Sequence, residues 1–406
     1  MKKNTLIILG LVVIITIITS ISVTILLSKV EKNDPLVSNE TSSDYISAAN
    51  FQDRQQTNQT LSNSRENAIT TTVKNVTPAV VGINVTEVRE YQDPFSSFFD
   101  DPFFKNDPFF RRFFGDRTYK QEVQSLGSGF IVSSDGYIIT NDHVAGNAKK
   151  VVVTLTNGEK YNAEVIGTDR TSDVCLLKID GKKFPSVKLG NSNDIIIGEW
   201  VIALGNPFGL FNVNNKPTVT VGVVSSTGLT LQPINNRYYR RMIQTDAPIN
   251  GGNSGGPLVN SVGEVIGMNT IIYTGNSYAS GNIGIGFAIP INKIKNIAEE
   301  LKHKGKIDRD FWTGLSIQTL DARIAKYYGL SNAKGVVITQ IEENSPAAKA
   351  KLETGDVILE IDGEQVTDEN DVRSAFFEFR TGQSVKLKIL HNDKVVERTM
   401  ALERRR

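Results

Sequence analysis

From Val73 to about Ile289 the chain is written as short β-branched runs broken by turn dipeptides, and this pattern constrains the fold more than any other feature. Phe130 to Val132 and Tyr137 to Ile139 flank Asp135-Gly136, Val151 to Leu155 and Tyr161 to Ile166 flank Asn157-Gly158, and Leu258 to Val259 and Val265 to Met268 flank Val262-Gly263. Hairpins in such number imply antiparallel strands closed into a barrel or sandwich, so the class is mainly β. Behind Pro290, Ile291, Ile294, Ile297, Ala298 and Leu301 recur at helical spacing, which predicts an amphipathic helix ending near Gly305. That helix marks a boundary, and 311–402 reads as a smaller unit of mixed strands and helices.

The N-terminal stretch is of another kind. Thr5 to Leu27 is a run of 23 residues without a charge. At about 1.5 Å per residue it spans about 35 Å, more than the roughly 30 Å of bilayer hydrocarbon. A cleaved signal peptide is the alternative, but its apolar core is shorter and ends in a small-x-small site, which the close of this run lacks. An uncleaved transmembrane helix over 5–27 is therefore expected. Lys2 and Lys3 put residues 1–4 in the cytoplasm and everything downstream outside, although Lys29 and Lys32 weaken that bias. Residues 28–72 have too few apolar groups to offset ordering entropy and read as a flexible tether. The folded domains are expected over 73–305 and 306–406.

Composition narrows the chemistry. The 406 residues carry 45 Lys plus Arg against 44 Asp plus Glu, giving no reason to expect nucleic acid as a partner. One Cys and three His exclude an intrachain disulfide and make thiolate or multi-His metal sites unlikely constructions, so neither metal nor cofactor is expected. Nine of the 19 Phe fall in the segment 94–115, within a loose Asp-Pro-Phe repeat. Such a loop either packs over its own domain or meets another subunit or unfolded polypeptide.

Gly252-Asn253-Ser254-Gly255-Gly256-Pro257 is the most informative stretch. Glycines around a serine let backbone approach a substrate and aim the N–H groups of Gly252, Asn253 and Ser254 toward a developing oxyanion. The same letters satisfy Gly-x-Ser-x-Gly, but a nucleophile elbow needs a helix after the serine, and here Pro257 and a hairpin follow. Of three imidazoles, His143 closes an apolar strand, whereas His303 and His391 sit in charged surroundings that read as solvated surface. Asp173, heading the apolar strand Val174 to Ile179, is the candidate to orient His143; Asp142 and Asp169 are rivals. Asp246 is expected to stabilise the turn before the serine. The order His143, Asp173, Ser254 matches chymotrypsin-like chains.

These residues, together with Thr140-Asn141-Asp142-His143-Val144, Gly205-Asn206-Pro207-Phe208-Gly209, Gly222-Val223-Val224-Ser225, Gln244-Thr245-Asp246-Ala247 and Gly284 to Pro290, make the chain resemble the HtrA/Deg family of serine proteases from about Val73 onward. The resemblance implies a chymotrypsin-like pair of six-stranded barrels, then one PDZ domain. It implies a specificity pocket lined by Ile249 and Ile272 that favours small aliphatic residues, a homotrimer, and a long regulatory loop at 94–115. Asn253 stands where chymotrypsin-type zymogens keep an aspartate for a new N-terminus, so activation by loop ordering is implied. Trp312-Thr313-Gly314-Leu315 fits a PDZ loop holding a peptide's C-terminal carboxylate, with the peptide adding beside Leu315 to Gln318. Unfolded or misfolded proteins, and signalling proteins outside the membrane, are the implied substrates. A peptide-binding scaffold with a dead protease fold is the rival, although inactive relatives usually lose a triad member.

Overall fold

In the computed structural model, residues 65–92, 118–206, 216–272, 284–327 and 335–405 are described. The apolar run 5–27, most of the tether and the Phe-rich segment lie outside them. Among the described residues no helix is long and apolar enough to cross a membrane.

Order begins earlier than the sequence pattern indicates. Helix α1, Ala68–Val76, starts with a reciprocal cap in which the Thr70 N–H donates to Asn67 Oδ1 at 3.0 Å and the Asn67 N–H donates to Thr70 Oγ1 at 2.9 Å. Thr72 is buried, and its hydroxyl donates to the Ser261 carbonyl at 2.9 Å. The expected boundary between a tether over 28–72 and a domain from 73 therefore cuts through this helix. The polar Thr and Asn of 67–72 look like linker in composition, but cap and pack a helix end.

The first barrel is closed by β1 (Val80–Gln92), β2 (Thr118–Ile131), β3 (Tyr137–Thr140), β4 (Lys150–Thr154), β5 (Lys160–Asp169) and β6 (Val174–Ile179), in the order β1-β2-β3-β6-β5-β4. A single turn of helix, α2 (Asp142–Ala145), follows β3. The predicted hairpins appear in register, with Phe130 opposite Ile139 and Val151 opposite Ala163. Phe130, Ile138, Leu177 and Ile179 are fully buried. Each such side chain contributes about 1.5–3 kcal/mol through its burial.

The second sheet comprises β7 (Lys188–Leu189), β8 (Trp200–Gly205), β9 (Thr218–Leu229), β10 (Met242–Thr245), β11 (Pro257–Asn260), β12 (Glu264–Ile272) and β13 (Gly286–Pro290). The pairing of β11 with both β8 and β12 closes six of these into a second barrel, and the short β7 adds to β12 in parallel. Two six-stranded barrels are thus present as the resemblance implied. Helix α3, Ile291–Lys304, ends on Gly305, whose left-handed conformation (φ 69°) lets its N–H donate to the Leu301 carbonyl at 2.8 Å. Ile291, Ile294, Ile297 and Leu301 are its buried face, as their spacing predicted.

The C-terminal unit holds β14 (Leu315–Thr319), α4 (Ala322–Tyr327), β15 (Val336–Ile341), α5 (Pro346–Lys349), β16 (Val357–Ile361), β17 (Glu364–Gln365), α6 (Glu369–Phe376), β18 (Ser384–His391) and β19 (Lys394–Ala401). The main sheet runs β14-β15-β16-β18-β19, so β14 is an edge strand. This unit has its own core around Val336, Ile338, Ile358, Leu387 and Ile389. It is joined to the barrels by ionic contacts. Arg309 donates to both Asp169 oxygens at 2.7 and 2.8 Å and to the Phe377 carbonyl at 2.6 Å, while Arg380 donates to Glu300 at 2.8 Å. Arg240 and Arg241 share Glu364, and the ring of Tyr238 lies 4.3 Å from that of Phe377.

Candidate active site

His143 stands on α2 directly after β3, and Asp173 ends the turn that leads into β6; antiparallel pairing of β3 with β6 brings the two together. Asp173 is wholly buried and adopts a left-handed conformation (φ 59°), which Asp tolerates better than a branched residue would. His143 Nδ1 lies 2.8 Å from Asp173 Oδ2, and since a carboxylate only accepts, Nδ1 carries the proton it donates. The backbone N–H of His143 donates to Oδ1 at 3.0 Å. Tyr239 Oη donates to Oδ2 at 3.0 Å and Thr270 Oγ1 at 2.8 Å. Burial pushes the Asp173 carboxyl up, but these bonds and the facing imidazole outweigh it and hold the group below the usual carboxylate range.

The two rival aspartates have other partners. Asp142 accepts from Arg237 Nη2 at 2.7 Å and from the Thr168 hydroxyl, and Asp169 is bound by Arg309. At Asp169 burial raises the carboxyl, and the Arg309 pair more than reverses that. Asp246, expected to brace the turn before the serine, accepts the Val223 N–H of β9 at 2.7 Å. His303 is exposed beside Glu299, but His391 is less solvated than expected, because its Nδ1 lies 2.7 Å from the buried Asp356.

Ser254 arrives on the loop between β10 and β11. Its Oγ donates to the Thr270 carbonyl at 3.0 Å, and among the described residues no hydrogen bond joins it to the imidazole. Thr270 therefore touches both halves of the site, by its hydroxyl to Asp173 and by its carbonyl to Ser254. Gly255 (φ 82°) is required by close approach, since a Cβ there would stand 2.2 Å from the Ser128 carbonyl. Of the three N–H groups expected at an oxyanion hole, that of Asn253 donates to the Asn250 carbonyl at 3.0 Å and so is not free to do so. Those of Gly252 and Ser254 meet no acceptor among the described residues. The Asn253 side chain is buried, and among the described residues neither Oδ1 nor Nδ2 has a partner.

Ile249 is buried to 1% exposure in the core of the second barrel, where the face of Gly286 meets it. Ile272 pairs with Gly286 through its backbone, and its side chain lies outside the described residues. The two predicted pocket residues thus converge on Gly286, while Ile249 offers no open surface here. Cys175 is fully buried, and burial with the nearby Asp142 charge pushes its thiol up to about 12, so it packs as a small core residue and is not a nucleophile.

In the PDZ-like unit the Trp312 N–H donates to the Glu403 carbonyl at 3.1 Å and the Leu315 N–H to Thr313 Oγ1 at 3.3 Å. Among the described residues the Thr313 and Gly314 N–H groups meet no acceptor, so these two are the donors left for a carboxylate. Gly314 has φ 73°, and a Cβ there would stand 2.1 Å from that of Ser345. Thr270, Tyr239, Arg237 and Asn141, whose Nδ2 donates to the Asp173 carbonyl at 3.0 Å, escaped sequence reading. The basic-aromatic run Arg237-Tyr238-Tyr239-Arg240-Arg241 is the sequence signal that could have pointed to two of them.

Residues 127–268 match the trypsin-like peptidase domain family and residues 313–402 the PDZ domain family. The chain is 41% identical over 338 residues to a probable periplasmic serine endoprotease DegP-like of Pseudomonas putida, covering 80% of this chain and 68% of the relative. It is 42% identical over 307 residues to the protein of that name from Chlamydia trachomatis serovar D, covering 74% of this chain and 60% of the relative. Among solved structures, the HtrA-type protease AlgW with decapeptide aligns with a TM-score of 0.61 at 35% identity, covering 82% of this chain and 98% of its own. The serine endoprotease from Yersinia pestis aligns with a TM-score of 0.53 at 28% identity, covering 82% and 97%. A trypsin-like double barrel followed by one PDZ domain, shared along most of the length of such relatives, makes this chain a member of the HtrA family of serine endopeptidases.

Proposed function

We propose that this protease cleaves exposed, extended polypeptide through Ser254, His143 and Asp173. Ser254 Oγ attacks the scissile carbonyl, His143 takes its proton and returns it to the leaving amine, and Asp173 holds the imidazole through Nδ1 and stabilises its protonated form. The N–H groups of Gly252 and Ser254 receive the oxyanion. The observation that carries this reading is the 2.8 Å contact from His143 Nδ1 to a buried Asp173. The serine must first turn from the Thr270 carbonyl toward His143 Nε2.

The N-terminal apolar run and the periplasmic relatives support a single-pass protein with both domains outside the cytoplasmic membrane. Misfolded or signalling proteins in that compartment are the substrates. The PDZ domain captures C-terminal peptides along the edge of β14, with their carboxylate at Gly314. Its contacts with 237–241 and α3 give a bound peptide a route to the serine loop, and a homotrimer is the working assembly.

Serine-directed phosphonate labelling of membranes from cells making the full-length protein tests anchor and nucleophile together. Labelling is expected in the membrane fraction, to rise with an apolar C-terminal peptide, and to vanish in Ser254→Ala. That variant should lose about a million-fold in turnover while keeping peptide binding. Undiminished cleavage by Ser254→Ala would end the triad reading.

A further inference from the structure

Arg237 has no part in the reaction as written, yet it lies against both the orienting carboxylate and its neighbour on α2. Its Nη2 donates to Asp142 Oδ2 at 2.7 Å, and its Nε lies 3.1 Å from Asp173 Oδ1. The Nε–H is not aligned for a hydrogen bond, so toward Asp173 the guanidinium acts by charge. All three groups are removed from water, with side-chain exposures of 12% for Arg237, 4% for Asp142 and 0% for Asp173. Charges there are screened far less than on a surface.

We propose that Arg237 is a positioning residue that sets the pH range of catalysis, by neutralising one of the two buried carboxylates that flank His143. The proposal rests on the triad reading above. Asp173, which precedes β6, meets His143 directly, and Asp142 adjoins it on α2; Arg237 and Tyr239, from the segment before β10, and Thr270, from β12, reach it through these two carboxylates. Tyr239 stays a neutral donor, since burial and then the Asp173 charge raise its hydroxyl. Cys175 stays a neutral thiol, and Asp169 has its charge met by Arg309. With neutral imidazole the inner cluster of Asp142, Asp173 and Arg237 therefore carries one net negative charge. Without Arg237 it would carry two, and each added negative charge favours a proton on the imidazole.

The backbone holds Arg237 in place. Asn235 and Asn236 are both left-handed (φ 51° and 62°), and Ile234 and Arg237 exchange backbone hydrogen bonds at 2.9 and 3.1 Å, which is a two-residue hairpin. The guanidinium is thus presented from a tight turn and not from a long loop.

The test is the pH profile of kcat/KM for a peptide substrate, measured on the full-length protein with Arg237→Gln, Arg237→Lys and Asp142→Asn. Arg237→Gln should move the acid limb about one pH unit upward, giving roughly tenfold lower relative activity at pH values below the limb. Arg237→Lys, which keeps the charge, should return the limb most of the way. Asp142→Asn should displace it downward, a direction that loss of packing would not produce. An equal fractional loss at every pH in Arg237→Gln, or limbs that stay in place in both neutral variants, would overturn the proposal. Failure of the triad reading would appear separately, as turnover retained in Ser254→Ala.

Discussion

The Asp173 carboxylate collects four donors, from the His143 backbone and ring, Tyr239 and Thr270, whereas the loop carrying Ser254 leaves the Asn253 side chain buried without a partner and turns the serine hydroxyl to a backbone carbonyl. The base side is preorganised in this conformation, and the serine hydroxyl is bonded elsewhere. A buried polar group without a partner costs about 1–3 kcal/mol, but Asn141 Oδ1 and Arg237 Nε on the base side are in the same position among the described residues. The serine loop is also bonded through its backbone, with the Ser128 N–H donating to the Ser254 carbonyl at 3.0 Å, so the contrast lies in the side-chain partners alone.

Three substitutions can break or sharpen this contrast. Asp173→Asn should have the largest effect, about ten-thousand-fold in kcat, because an amide no longer enforces the Nδ1–H tautomer. Steady-state kinetics on a peptide substrate would show it, and a loss under a hundredfold would mean that the base side does not depend on this carboxylate. Thr270→Val comes next. It removes a donor from a buried charge while conserving volume, so chemical denaturation should show a loss of about 1.5–3 kcal/mol. Asn253→Ala should have the smallest effect, within about 1 kcal/mol by the same measurement, because its amide makes no hydrogen bond that could be lost. If Asn253→Ala proved as destabilising as Thr270→Val, the two sides would be equally well bonded and the contrast would fall.

The same division explains what could be read from the sequence. The hairpins around Asp135-Gly136 and Asn157-Gly158, the buried face of α3 and the order His143, Asp173, Ser254 are patterns with short range or strong residue signatures. The start of α1 was missed because Asn67 and Thr70 cap a helix with the residue types that also make linkers. The partner of Asp246 was not legible because it comes from β9, 23 residues away in sequence. Asp173 was favoured over Asp142 and Asp169 for heading an apolar strand, and the partners that separate the three are set only in three dimensions. Arg237 and Thr168 meet Asp142, Arg309 meets Asp169, and Tyr239 and Thr270 meet Asp173.

The sequence by itself determined the mainly β class, a smaller mixed unit behind the helix and the candidates for nucleophile and base, because periodicity and turn chemistry act between neighbours, and its resemblance to a known family added the pair of barrels and the PDZ domain. Only the tertiary structure decided which carboxylate serves His143, that the Asn253 N–H is already committed, and that a guanidinium lies beside the orienting aspartate. These depend on hydrogen bonds and charges whose strength falls within a few ångströms, between residues as much as 97 positions apart, such as Thr270 and Asp173.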